Sequence, residues 1–156
     1  LALTATSPNK IMIAGDPTTV IRHHPAGVGT IVPGMLIEGF NNGGVYSWRP
    51  HSAAAGIAPA FIAIDEPILN QTLSATGPAY GAGALIPAWP ARLGDVAWML
   101  IPSGQNVTIA DPLQSNGDGK LKAATATTAT ANVSHFRALE TTGAVTVDTR
   151  VRVQVE

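Results

Sequence analysis

The chain has no cysteine. That absence excludes a disulfide framework, a thiol nucleophile and a cysteine-ligated zinc, and it fits a reducing compartment. Charge is scarce as well: Asp, Glu, Lys and Arg make up 12% of 156 residues and the formal net charge is −1. No basic field exists to hold nucleic acid or an anionic membrane surface. Aromatic residues are 5% of the chain, so each large ring carries unusual weight. Long apolar runs are missing too. Much of the hydrophobic content is alanine, and no run approaches the ~18 residues that span a bilayer. The opening LALTATSPNK has neither the basic front nor the continuous apolar core of a secretory signal. Low charge with much alanine predicts a surface partly covered by other subunits.

What is present is a succession of short apolar segments separated by turn residues. In Asp95 to Leu121, Val96, Trp98 and Leu100 alternate with Ala97, Met99 and Ile101 up to Pro102-Ser103-Gly104. That is a buried strand ending in a tight turn. Val107 to Ala110 predicts a second strand, stopped at Asp111-Pro112. Asn116-Gly117-Asp118-Gly119 is a hairpin signal, and Leu121 resumes a strand. Upstream, Lys10 to Ala14, Thr18 to Arg22, Val45 to Arg49 and Ala60 to Asp65 read as strands. His23 to Gly27, Pro33-Gly34 and Asn41 to Gly44 read as turns or loops. Leu69 to Gly83 reads as a polar, Gly-rich connection. Ala84 to Pro90 reads as an irregular edge, because Pro87 and Pro90 argue against a central strand. Ala123 to Asn132 is an Ala/Thr tract expected at the surface. Val133 to Glu140 alternates, and Val145, Val147, Thr149, Val151, Val153 and Val155 share one face of a terminal strand of about twelve residues, with Thr146, Asp148, Arg150, Arg152, Gln154 and Glu156 on a polar face. With about ten short strands and no amphipathic helix, the expected fold is all-β. The expected architecture is a small single-domain β-sandwich or barrel at residues 10–156, with long loops and an extended N-terminal arm at residues 1–9.

A chain of this size can bury about 70% of its unfolded surface, so a core is possible without cross-links. Chemistry is harder to find. His23 and His24 are adjacent, and neighbours in an extended segment point to opposite faces, so the pair does not make one metal site. His51 and His135 stand alone in the sequence. Asp111, Asn116 and Asp118 miss the calcium-loop spacing and are accounted for as turn residues. Asp65-Glu66 are adjacent acids at a strand end. A general acid and base need facing elements, which this pair does not show. Gly81-Ala82-Gly83 lacks the lysine of a phosphate loop, and no Gly-x-Ser-x-Gly occurs. No catalytic residue, metal site or cofactor is therefore expected. Trp98 sits in an alternating strand and reads as core. Trp89, flanked by prolines, reads as either core or an exposed contact for a partner or a sugar ring.

Five stretches, in order, carry a resemblance: TIVPGML (Thr30 to Leu36), AFIAIDE (Ala60 to Glu66), GDVAWMLIPSGQNV (Gly94 to Val107), ADPLQSNGDGKL (Ala110 to Leu121), and Val133 to Glu140 followed by the valine strand. Together they make up about two fifths of the chain, and their order resembles the head-decoration, or capsid-cement, proteins of tailed bacteriophages. The resemblance implies a virion structural protein rather than an enzyme. It would assemble in the bacterial cytoplasm and bind, often as a homotrimer, to the major capsid protein on the outer surface of the expanded head. It also implies that an N-terminal arm, Leu1, Ala2, Leu3, Thr4, Ala5, Thr6 and Ser7, becomes ordered on the shell by adding a strand to a capsid edge. Neither nucleic acid nor membrane is an expected partner. The alternative is a carbohydrate- or receptor-binding β module of a virion using Tyr46, Trp48 or Trp89. A trimeric nucleotide-hydrolysing β enzyme would need a clustered Asp, Arg and Gly-rich set that the sequence does not offer.

Overall fold

The computed structural model describes residues 11–15, 20–56, 61–65, 79–124 and 136–156. Among them the chain forms thirteen short strands and no helix. In order these are β1 (Met12–Ala14), β2 (Arg22–Pro25), β3 (Leu36–Asn42), β4 (Val45–Pro50), β5 (Phe61–Ala63), β6 (Leu85–Pro90), β7 (Val96–Ile101), β8 (Asn106–Val107), β9 (Pro112–Ser115), β10 (Leu121–Ala123), β11 (Phe136–Ala138), β12 (Gly143–Ala144) and β13 (Thr149–Val155). They build a six-stranded sheet, β1-β7-β13-β11-β9-β10, a five-stranded sheet, β2-β6-β5-β3-β4, and a two-stranded ribbon, β12-β8. The protein is all-β, as its turn spacing predicts.

The five-stranded sheet curls into a small barrel. Its end strands meet where Ala26, just past β2, bridges Trp48 of β4 in parallel and the Gly27 N–H donates to the Trp48 carbonyl at 2.9 Å. Residues directly opposite in an antiparallel ladder share a face, so the register sorts inside from outside. Ile37, Trp48, Phe61, Ala63, Ile86 and Ala88 point into the barrel, where Ile31, Val32 and Met35 join them. Leu36, Ile62, Ile64 and Trp89 point outward and pack on the six-stranded sheet. That sheet supplies Ala97, Met99 and Ile101 from β7, Val151, Val153 and Val155 from β13, and Leu113, Phe136 and Ala138. Two cores therefore share one wall. Gly39 is required near the barrel mouth, where it is exposed, because a Cβ there would collide with the Tyr46 hydroxyl that lies across it.

Several strands depart from their expected form. Trp89 is wholly buried in the wall between the cores, so it is not an exposed contact. Its strand, β6, is central, flanked by β2 and β5. Pro87 is tolerated there because of what stands opposite it. Its carbonyl accepts the Ile64 N–H at 3.0 Å, and the reciprocal bond, which proline cannot donate, is replaced by the Tyr80 hydroxyl donating to the Ile64 carbonyl. His23, His24 and Pro25, expected in a turn, form β2. Their two histidines do fall on opposite faces, since His24 pairs with inward Ile86 and His23 with outward Pro87. Pro112 opens β9 instead of only ending a strand, which is a position where a missing N–H is harmless.

The terminal strand starts at Thr149, not Val145, and Val147 is exposed. Asp148 ends the preceding turn by accepting the Ser103 N–H and pairing with Lys120 at 2.9 Å. Arg150, on the face expected to be polar, is buried and donates twice to the Pro33 carbonyl, at 3.1 and 2.9 Å. That contact straps residues 31–35 to β13. Gly34 makes the close approach possible: its φ is +92°, and a Cβ would lie 2.9 Å from the Trp98 carbonyl oxygen. The N-terminal arm (1–9), Glu66, His135 and most of the Ala/Thr tract lie outside the described residues.

Trp89→Ala should cost about 3–5 kcal/mol in urea unfolding, as expected for emptying a shared core wall. Leu93→Ala, at a side chain 80% exposed, should change stability by less than ~0.5 kcal/mol.

Candidate functional site

Three places combine exposed or polar groups with defined geometry. The first is the β1 edge of the six-stranded sheet, whose opposite end strand is β10. Among the described residues β1 has β7 on one side and no strand on the other. Ile11 anchors it: the side chain is buried, the N–H donates to Asp65 Oδ1 at 3.0 Å, and the carbonyl accepts the Trp98 N–H at 2.8 Å. Two residues on, Ile13 is 45% exposed. Among the described residues the edge thus has no strand partner on its outer side, next to an exposed branched side chain, the features that invite strand addition.

The second is the mouth of the barrel, at the end where β2 begins and β3 turns into β4. Register places Arg22, His24, Asn41, Tyr46, Phe61 and Pro90 on its inner side. The turn is set by Gly43 and Gly44, both at positive φ, and by Asn41 Oδ1 accepting the Gly44 N–H at 2.7 Å. His24 meets Tyr46 edge-on with ring centroids 4.7 Å apart and Trp48 at 5.4 Å. Trp48 lies 5.6 Å from Tyr46 and 5.1 Å from Phe61, and the Arg22 guanidinium stands 5.4 Å over the Phe61 ring. A continuous series of rings therefore runs from Arg22 to Tyr46. Tyr46 is 49% exposed, whereas Trp48 below it is wholly buried and its indole N–H has no acceptor. Of the three aromatics expected to meet a sugar or receptor, only Tyr46 offers an exposed ring.

The third is a buried polar clasp between the barrel and the six-stranded sheet. His51 follows β4, and its Nδ1 lies 2.7 Å from Ser115 Oγ on β9. Its Nε2 lies 3.7 Å from Glu38 Oε2 on β3. Ser115 Oγ also accepts the Gly117 N–H at 3.1 Å. With the Gly117 N–H already on Ser115 Oγ, the serine hydroxyl donates to Nδ1, and neutral His51 carries its proton on Nε2, facing the Glu38 carboxylate at 3.7 Å, beyond direct hydrogen-bond distance. Backbone bonds reinforce it, since the His51 N–H donates to Leu36, Gly119 to His51, and Leu36 to Gly119.

The order serine, histidine, carboxylate is that of a nucleophilic triad, but Ser115 is 4% exposed and its Oγ is engaged on both sides. It presents no face to a substrate, and the group acts as a clasp. Burial lowers the His51 pKa from its ordinary value, with Arg49 adding to this and Glu38 opposing it. Burial would raise Glu38, but hydrogen bonds from Ser52 and Arg49, with the charges of His51 and Arg49, outweigh it and hold the carboxyl below its usual range. No sequence signal marks this group: 64 residues separate His51 from Ser115.

The remaining candidates are structural. Asp111 accepts the Thr108 N–H, and Asp118 accepts the Lys120 N–H and the Asn116 amide, all within their own turns. Asp65 anchors Ile11, and no group of three metal-ligating side chains occurs among the described residues. No protein-family model matches the chain, and no curated protein matches it.

Because the folded state holds His51 neutral, the unfolded chain takes up its proton first as pH falls below about 6.5. Stability should be flat above that value and decline below it, by up to about 1.4 kcal/mol per pH unit for this one proton. Chemical denaturation from pH 8 to 5 measures this, and His51→Gln should remove most of the slope. Glu38 adds a separate loss only below about pH 4.5.

Proposed function

We propose that this chain is a virion structural protein of the capsid-decoration type, binding the outside of an expanded shell of major capsid protein. The observation that supports it best is the open β1 edge, with Ile13 exposed and Ile11 fixed by Asp65 and Trp98. Residues 1–9 precede that edge directly, so an arm laid on a capsid strand would pull against a firmly seated anchor. The two fused cores supply a rigid body, and low charge leaves little to desolvate at a contact. Assembly as a trimer would multiply weak single contacts, since each later arm binds at an effective concentration in the millimolar range. Among the described residues no helix is long and apolar enough to cross a membrane.

Co-sedimentation with undecorated expanded heads and with unexpanded procapsids tests the proposal. Saturable binding to expanded heads alone is the expected result, and binding to neither sinks the reading. Removing Leu1 to Ser7 should abolish binding while leaving thermal unfolding unchanged. Ile13→Asp should weaken binding at least about tenfold by placing a charge where the edge meets the shell.

A further inference from the structure

The barrel mouth brings together side chains that the decoration reading leaves unused. Arg22 stands over Phe61, and among the described residues no carboxylate pairs with it. A guanidinium held over a ring still has its fork of N–H donors to offer to a planar carboxylate. Among the described residues no acidic side chain lines the mouth: its inner residues are Arg22, His24, Asn41, Tyr46, Phe61 and Pro90. With its Oδ1 occupied by Gly44, Asn41 has its amide N–H groups left to give. His24 and Tyr46, edge to face, make a corner with one exposed ring. Beneath them the buried Trp48 N–H is a donor without an acceptor, and among the described residues Trp89 carries the one other such buried side-chain donor.

We propose that this mouth binds a carboxylate-bearing sugar, a uronic or sialic acid residue of a surface glycan. Each part of such a ligand has a counterpart. The C–H face of a pyranose packs on the Tyr46 ring, the carboxylate meets the Arg22 fork, and hydroxyls meet Asn41 and His24. A neutral sugar leaves Arg22 unused, and a simple anion leaves the rings unused. A phosphate dianion calls for more positive charge than one guanidinium supplies. The inference goes beyond the decoration reading and does not rest on it, since the mouth and the β1 edge share no residue.

Isothermal titration and ligand-observed NMR with galacturonic acid, N-acetylneuraminic acid, galactose and acetate test it on the full chain. At least one acidic sugar should bind with a Kd of about 1 mM, and galactose and acetate at least about tenfold more weakly. Arg22→Gln and Tyr46→Ala should each weaken the acidic sugar about tenfold or more, with Lys122→Ala as an unaffected surface control. Near-UV circular dichroism shows whether each variant keeps its fold, which the exposure of both side chains favours. Equal binding of acetate would reduce the site to an anion contact and overturn the proposal. So would undiminished binding by Arg22→Gln, or no binding of either acid at about fifty times that Kd. Heads decorated by a protein that ignores both acids would sink this inference and leave the decoration reading standing.

Discussion

Leu36 and Ile37 are neighbours in β3, yet they point into different cores, and the same is true of Ile62 and Ala63 in β5 and of Ala88 and Trp89 in β6. Where the barrel wall meets the six-stranded sheet it is buried on both faces, and this constraint governs most of the fold. A strand with no solvent side has to be apolar at every position, so these segments are short, dense and intolerant of displacement by one residue. It also forces the polar groups that must cross the wall to be paired inside it. His51 with Ser115, Arg150 with the Pro33 carbonyl, and the Tyr80 hydroxyl with the Ile64 carbonyl are places where this happens.

The same constraint explains which parts of the fold were legible in the sequence. Strands with one wet face were read well, because alternation reports a single buried side: Val151, Val153 and Val155 lie inward as their spacing requires. The turns at Pro33-Gly34, at Asn41 to Gly44 and at Asn116 to Gly119 were equally plain, since positive φ leaves a chemical mark. The segments buried on both faces gave no period to read. LIPAWP looked like an irregular edge because proline and tryptophan were judged by propensity, while the Tyr80 hydroxyl that makes Pro87 acceptable lies seven residues upstream in another context. Arg150 was misplaced for a related reason. Its own strand puts it on the polar face, and only the arrival of residues 31–35 covers it.

Of the candidate sites, the sequence showed components without their assembly. Tyr46 and the histidine pair were visible as residue types, but their meeting at the barrel mouth depends on β2 and β4 closing on each other, a contact between strands that are not neighbours in sequence. Ser115, His51 and Glu38 were invisible as a group because three separate strands or strand ends deliver them. Both cases are long-range geometry, which local pattern does not encode.

Pro87 has one more consequence. A proline in a central strand is tolerable only where its missing donor falls opposite an oxygen that something else satisfies, and here that oxygen belongs to Ile64. Slide β6 by two residues, which would keep every side chain on its proper face, and the Tyr80 hydroxyl no longer covers the gap. Side-chain alternation cannot distinguish those two alignments, but the imino acid can. It works as a registration mark, making the barrel's closure discrete where the hydrophobic pattern alone would leave it free to slip.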